Sequence, residues 1–108
     1  MEPHRETIRV TPVGELDISS SSELGHEVEQ LVGSGFGHVL IDLRELVFID
    51  STGLRVLLAL NASARRGGWR LSLIQGPEVV SRMFALTATL DMLPFEPLPA
   101  LPLAAQPG

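Results

Sequence analysis

The 108-residue chain contains no cysteine. Disulfides and thiolate chemistry are therefore excluded, and the composition is compatible with a reducing cytoplasm. It also lacks a long hydrophobic run. The longest is Val56–Leu60, interrupted by Arg55 and Asn61, whereas a membrane-spanning helix needs about 20 apolar residues. The stretch reads as a buried core helix, and no membrane span is expected. Met1 to Arg5 include Glu2, His4 and Arg5 and lead into no apolar signal core. Export is not expected, and a cytoplasmic location is. Positive charge is scarce too, with 8 basic residues against 13 acidic ones and a formal net charge of -5. Such a domain is poorly suited to a nucleic-acid backbone and better suited to a partner that carries positive charge.

The usual catalytic frames are missing. Ser51 has no Gly-x-Ser-x-Gly surround, so a hydrolase nucleophile is not expected. No phosphate-binding Gly-x-x-x-x-Gly-Lys loop occurs. His4, His26 and His38 show no metal-ligand spacing. Asp42 and Asp50 suggest a carboxylate pair, but no histidine or further acid sits in a motif that would make either one catalytic. No enzyme activity, metal or cofactor is expected.

What is present is the material for one domain. Hydrophobic residues make up 44% of the chain, enough for a core, and the length fits a single unit. Thr7–Thr11 alternates as a strand does. After Pro12, Val13–Leu16 reads as a second short strand, and the two are compatible with an edge hairpin. Ser20 and Glu23 form a capping-box pattern. Leu24, Val28, Leu31 and Val32 then mark one helical face, closed by Gly33 and Gly35. His38–Leu43 has the continuous apolar centre of a strand covered on both sides. Glu45–Asp50 reads as a connection that holds the apolar pair Phe48-Ile49. A second helix starts at Asp50-Ser51-Thr52 and ends with Arg65-Arg66 before Gly67-Gly68, as the helix dipole favours. Leu71–Ile74 is a further buried strand. Gly76-Pro77-Glu78 opens a third helix with Val80, Met83, Phe84 and Thr87 on one face. Leu93–Phe95 is a possible last strand. Four prolines fall between Glu96 and Gly108, which indicates a loose tail. The expected division is a lead over 1–6, a domain over 7–95 and a proline-rich tail over 96–108. Strands alternating with helices predict an α/β fold with a mainly parallel sheet.

The most informative stretch runs from Ile41 to Leu54. It puts the hydroxyls of Ser51 and Thr52 at the start of a helix, just after an apolar loop, with Asp50 before them and Gly53 keeping the backbone accessible. A hydroxyl there is ordinarily a cap. A helix start also presents free N–H groups and partial positive charge. A phosphate on Ser51 would then be tolerated by the fold and act outward, adding about -1.5 to -2 charges to a docking surface.

The sequence resembles the STAS domain, specifically the anti-sigma factor antagonist family. Gly14-Glu15-Leu16-Asp17 is similar to the family's segment before the first helix. Ile41-Asp42-Leu43 and Val47–Leu54 resemble its central strand and phospho-acceptor loop. Gly67-Gly68 with Leu71–Ile74 resembles the next helix end and strand. The resemblance implies an α/β, STAS-like single layer of mixed, mainly parallel β-sheet with helices packed against it. It implies that Ser51 is phosphorylated by the anti-sigma factor, itself a serine kinase, and reset by a serine phosphatase. The unphosphorylated antagonist would bind that kinase and free the sigma factor. The partner-binding set expected is Asp17, Asp50, Ser51, Thr52, Gly53, Leu54 and Arg55. Asp17 reads equally as a solvent-exposed turn acid, and Leu54 and Arg55 as an exposed apolar and basic pair beside Ser51. The chain departs from the family at Leu86-Thr87-Ala88-Thr89-Leu90, where a glycine is usual, and in the poor representation of a C-terminal helix. The alternative reading is an unphosphorylated STAS-type accessory subunit of a membrane transporter or a larger signalling complex.

Overall fold

The computed structural model describes residues 6–96. The strands are β1 (Thr7–Val10), β2 (Gly14–Leu16), β3 (His38–Asp42), β4 (Leu46–Ile49) and β5 (Arg70–Ile74). The helices are α1 (Ser21–Gly33), α2 (Ser51–Gly67) and α3 (Glu78–Leu86), followed by a 3-10 turn over Leu90–Met92. The fold is α/β with parallel strands, as expected. The pairings form two ladders, β1-β3-β5 and β2-β4, and each of them is parallel.

Two expectations need correction. The first two strands do not form a hairpin. Thr7–Val10 pairs with His38–Ile41, while Gly14–Leu16 pairs with β4. The segment read as a connection over Glu45–Asp50 is instead the strand β4. Its register slips between Gly14 and Glu15, which pair with Leu46 and Phe48 and leave Val47 as the extra residue of a bulge. The bulge destroys the period-2 alternation by which a strand is recognised.

The core lies between these ladders and the helices. Val28, Val39, Ile41, Leu43, Leu57, Leu73 and Val80 are fully shielded from solvent. Each such side chain contributes about 1.5–3 kcal/mol through burial. Helix α1 packs on α2, whereas α3 packs on β4. On α2 the buried residues are Gly53, Leu54, Leu57, Leu60 and Ala64, a single stripe at helical spacing. Arg65 and Arg66 occupy its last turn, and Gly68 stops it in the left-handed conformation at φ 75°, which glycine adopts without a Cβ penalty. Leu93–Glu96 runs beside β5, with Phe95 bridged to Leu73 and its ring edge-on to Phe84 at 5.1 Å. Glu96, expected to begin the tail, is still part of the fold, since its amide donates to the Leu73 carbonyl at 2.8 Å. The rest of the expected tail, and the lead up to residue 5, lie outside the described residues.

Candidate functional site

Strands β2 and β4 end side by side. Leu16 pairs with Ile49, and the Asp50 amide donates to the Leu16 carbonyl at 3.2 Å. The loops that follow, starting at Asp17 and Asp50, therefore leave the ladder together. In parallel α/β sheets this carboxyl end of the strands is where binding sites form.

Asp50 caps α2. Its Oδ1 accepts from the amides of Thr52 (2.9 Å) and Gly53 (3.0 Å). The sequence offered a serine cap as the ordinary reading of this position and free amides at the helix start. Here the aspartate has taken both the capping role and the first amide donors, and Ser51 stands exposed at the first helical position with its hydroxyl relieved of that duty. Arg55 is exposed one turn further on, and Thr52 is half-buried.

Two members of the expected partner-binding set are not on the surface. Leu54 is 7% exposed and belongs to the core cluster, so the expected exposed pair reduces to Arg55 alone. Gly53 is buried too. It does not keep the backbone open. A Cβ there would collide with the Leu16 carbonyl oxygen and lie 3.0 Å from Leu16 Cγ and Ile49 Cγ1. Gly53 is what lets α2 start flush against the end of β2.

In the neighbouring loop the Asp17 carboxylate accepts from the Ser19 amide (3.0 Å) and hydroxyl (2.8 Å). The Ser19 hydroxyl, then the Ser19 amide, hold its acidity below the usual carboxylate range. Ser20 was expected to cap α1 through a capping box, but its side chain makes no cap bond. It donates instead to the Glu15 carbonyl at 2.7 Å. Asp17 is thus a half-buried turn acid beside the Asp50 cap, and the structure brings the two loops together.

Sequence reasoning missed the apolar residues around this end. Ile18 is 76% exposed, and Val47 and Phe48 on β4 are exposed as well. Ile18 carried a signal, since it is the one large apolar residue in the polar stretch Asp17–Ser22. Phe48 was legible as half of an apolar pair with Ile49, but the bulge hides which of the β4 residues face inward, so neither its exposure nor that of Val47 could be read.

The other groups considered have their own structural employment. Asp42 is buried and held by Arg44, whose Nε and Nη2 donate to its two oxygens at 2.9 and 2.8 Å, with Arg9 at 3.7 Å. The Arg44 hydrogen bonds keep this carboxyl below its ordinary range. Asp42 and Asp50 therefore serve different partners. His38 ties the ladder together through Thr7 Oγ1 (3.0 Å) and Ser72 Oγ (2.8 Å), and burial, then Arg70, lower its pKa. Among the described residues no cluster of three or more potential ligands is placed to hold a metal ion, and no helix is long and apolar enough to cross a membrane.

Parallel strands with helices packed against them in this order form a fold that known proteins share. The family model described as Mlab, STAS domain matches residues 2–94, and the chain belongs to the STAS domain family. Solved structures of similar fold include anti-sigma factor antagonists. The unphosphorylated form of SpoIIAA superposes with a TM-score of 0.70 at 19% identity, over 87% of this chain and 83% of that one. An anti-sigma factor antagonist from Mycobacterium paratuberculosis gives 0.72 at 23% identity, over 96% and 88%. The phosphorylated form of the Bacillus cell fate determinant SpoIIAA gives 0.64 at 17% identity, over 87% and 86%.

Proposed function

We propose that this STAS domain is an anti-sigma factor antagonist, a non-enzymatic cytoplasmic docking protein switched off by phosphorylation of Ser51. The observation that carries the reading is the division of labour at the start of α2. Asp50 caps the helix, so the exposed Ser51 hydroxyl is available to a kinase at no cost to the fold. In the transfer, Ser51 Oγ bonds to the γ-phosphorus of ATP, ADP departs, and the hydroxyl proton passes to a base of the kinase. A serine phosphatase reverses the modification.

In the unmodified state the partner, an anti-sigma factor kinase, docks on Ile18, Phe48 and the polar ring of Asp17, Ser51, Thr52 and Arg55. Apolar side chains exposed within a polar rim are the usual anchors of such interfaces. The phosphate sets about two negative charges next to Asp50 and Asp17 in the middle of that surface, and its charge and bulk weaken docking.

Incubation with a histidine-kinase-like anti-sigma factor and ATP should add one phosphate, and Ser51→Ala should abolish it. Ser51→Asp should bind that partner more weakly while its melting curve stays within experimental error of the parent. Label on a protein that lacks Ser51, or a collapsed melting curve for Ser51→Asp, would refute the assignment. Failure of any kinase to modify the chain, with co-purification of a transporter ATPase, would favour an accessory subunit of a transporter.

A further inference from the structure

We infer that Arg55 is the internal receptor for the Ser51 phosphate, so that phosphorylation closes an ion pair along α2 and withdraws Arg55 from the docking surface. The inference rests on Ser51 being the phospho-acceptor, and it adds a second group to the switch.

The receptor expected at a helix start is the backbone. Here the amides that follow Ser51 are already engaged. The amides of Thr52 and Gly53 already donate to Asp50 Oδ1, and the Leu54 amide donates to the Asp50 carbonyl at 3.0 Å. A phosphate on Ser51 must find its counter-charge elsewhere. Arg55 lies four residues further along the same helix, and both residues are exposed. Positions four apart share a helix face with their Cβ atoms about 5–6 Å apart. The order is also the favourable one, with the anion toward the helix N-terminus and the cation one turn on.

Arg55 is free to respond. The ion pairs among the described residues engage Arg9, Arg44 and Arg70, and Arg55 is in none of them. All eight basic residues of the chain are arginines, and a guanidinium can grip two phosphate oxygens at once where an ammonium acts as a point charge. The remaining α2 bases, Arg65 and Arg66, sit in its last turn, about 21–23 Å along the axis from Ser51. The acids nearest this end are Asp50 on α2 and Asp17 on the adjoining loop, and both repel the phosphate. Arg55 is therefore the attractive group that α2 itself places within reach of Ser51. Before modification it offers a partner a free guanidinium. After modification that guanidinium is bound to the phosphate, so a partner loses a cationic contact and meets an anionic cluster in its place.

The test installs phosphoserine at position 51 during translation, so it needs no kinase. The second ionisation of the phosphate is followed by phosphorus-31 NMR in the folded protein, with Asp50 and Asp17 intact throughout. Arg55→Ala should raise that pKa by about 0.2–0.4 pH unit, the size expected when an i,i+4 charge pair is lost. Arg55→Lys should recover part of the shift, and Arg65→Ala should leave it unchanged. A phosphate that titrates identically in the parent and in Arg55→Ala overturns the inference, as does a shift of equal size in Arg65→Ala. A null result with kinases strikes only the Ser51 reading, whereas an unshifted phosphate strikes only the Arg55 receptor.

Discussion

The loops after β2 and β4 are built from the same ingredients and use them in opposite ways. Each begins with an aspartate, continues with hydroxyl residues and enters a helix. After β2, Asp17 spends its carboxylate on the side chain and amide of Ser19, and Ser20 spends its hydroxyl on the Glu15 carbonyl. The α1 cap position then makes no side-chain cap bond. After β4, Asp50 spends its carboxylate on the α2 amides, and Ser51 is left over. Ser21, at the start of α1, is 2% exposed. A hydroxyl becomes available for modification where the aspartate serves the backbone and is consumed where the aspartate serves the hydroxyls. That difference separates Ser51 from Ser19 and Ser20, whose hydroxyls are bonded, and burial separates it from Ser21, whereas Ser22 stands exposed as Ser51 does.

The contrast can be broken at its foundation first. Gly53→Ala should destabilise the fold by about 1–3 kcal/mol, because the added methyl meets a backbone oxygen that cannot move aside as a side chain can. An unchanged urea midpoint would mean that α2 does not start flush against β2. Asp50→Ala should cost about 1 kcal/mol through loss of the cap, again read from the denaturation midpoint. The corresponding Asp17→Ala should cost less, since its carboxylate caps no helix. Equal losses would erase the distinction between the loops. The smallest effect is the most local. Ser19→Ala should move the Asp17 pKa up toward the ordinary carboxylate value, observed by NMR titration of its side-chain carbon. A depressed carboxylate stabilises the fold above its unfolded pKa and loses that contribution as pH falls through its folded value. Ser19→Ala should therefore reduce the acid-side loss of stability between the two values. A titration that ignores Ser19 would show that the turn is held in another way.

The order of helices and the start of α2 were legible because they rest on local chemistry. Asp50-Ser51-Thr52 reads as a helix start wherever it occurs, and Arg65-Arg66 before Gly67-Gly68 reads as a helix end. Pairing was not legible. Thr7–Val10 and Gly14–Leu16 are close enough in sequence for a hairpin, yet each pairs with a strand from beyond α1, β3 and β4 respectively. The site was half legible. Ser51 and Arg55 stand exposed as their positions suggested, but Leu54 went to the core. On α2 it shares the buried stripe with Leu57 and Leu60, and the helical phase is set by that stripe, which is fixed only once the helix is docked. Gly53 looked like an opening in the backbone and turned out to be a contact, because no local pattern announces that another strand's carbonyl lies against it.

The segment beside β5 has a consequence for association. Pro94 accepts from the Leu73 amide at 3.0 Å and Glu96 donates back to the Leu73 carbonyl at 2.8 Å, with Arg70 and Glu96 paired at 3.7 Å. At Leu73 the outer flank of the three-stranded ladder is thereby occupied by the chain itself. Open-ended fibre growth requires two exposed flanks, so that every added copy presents a fresh one. With the β5 flank blocked at Leu73, a strand of another copy cannot pair along the whole of β5, and growth through that flank is interrupted there.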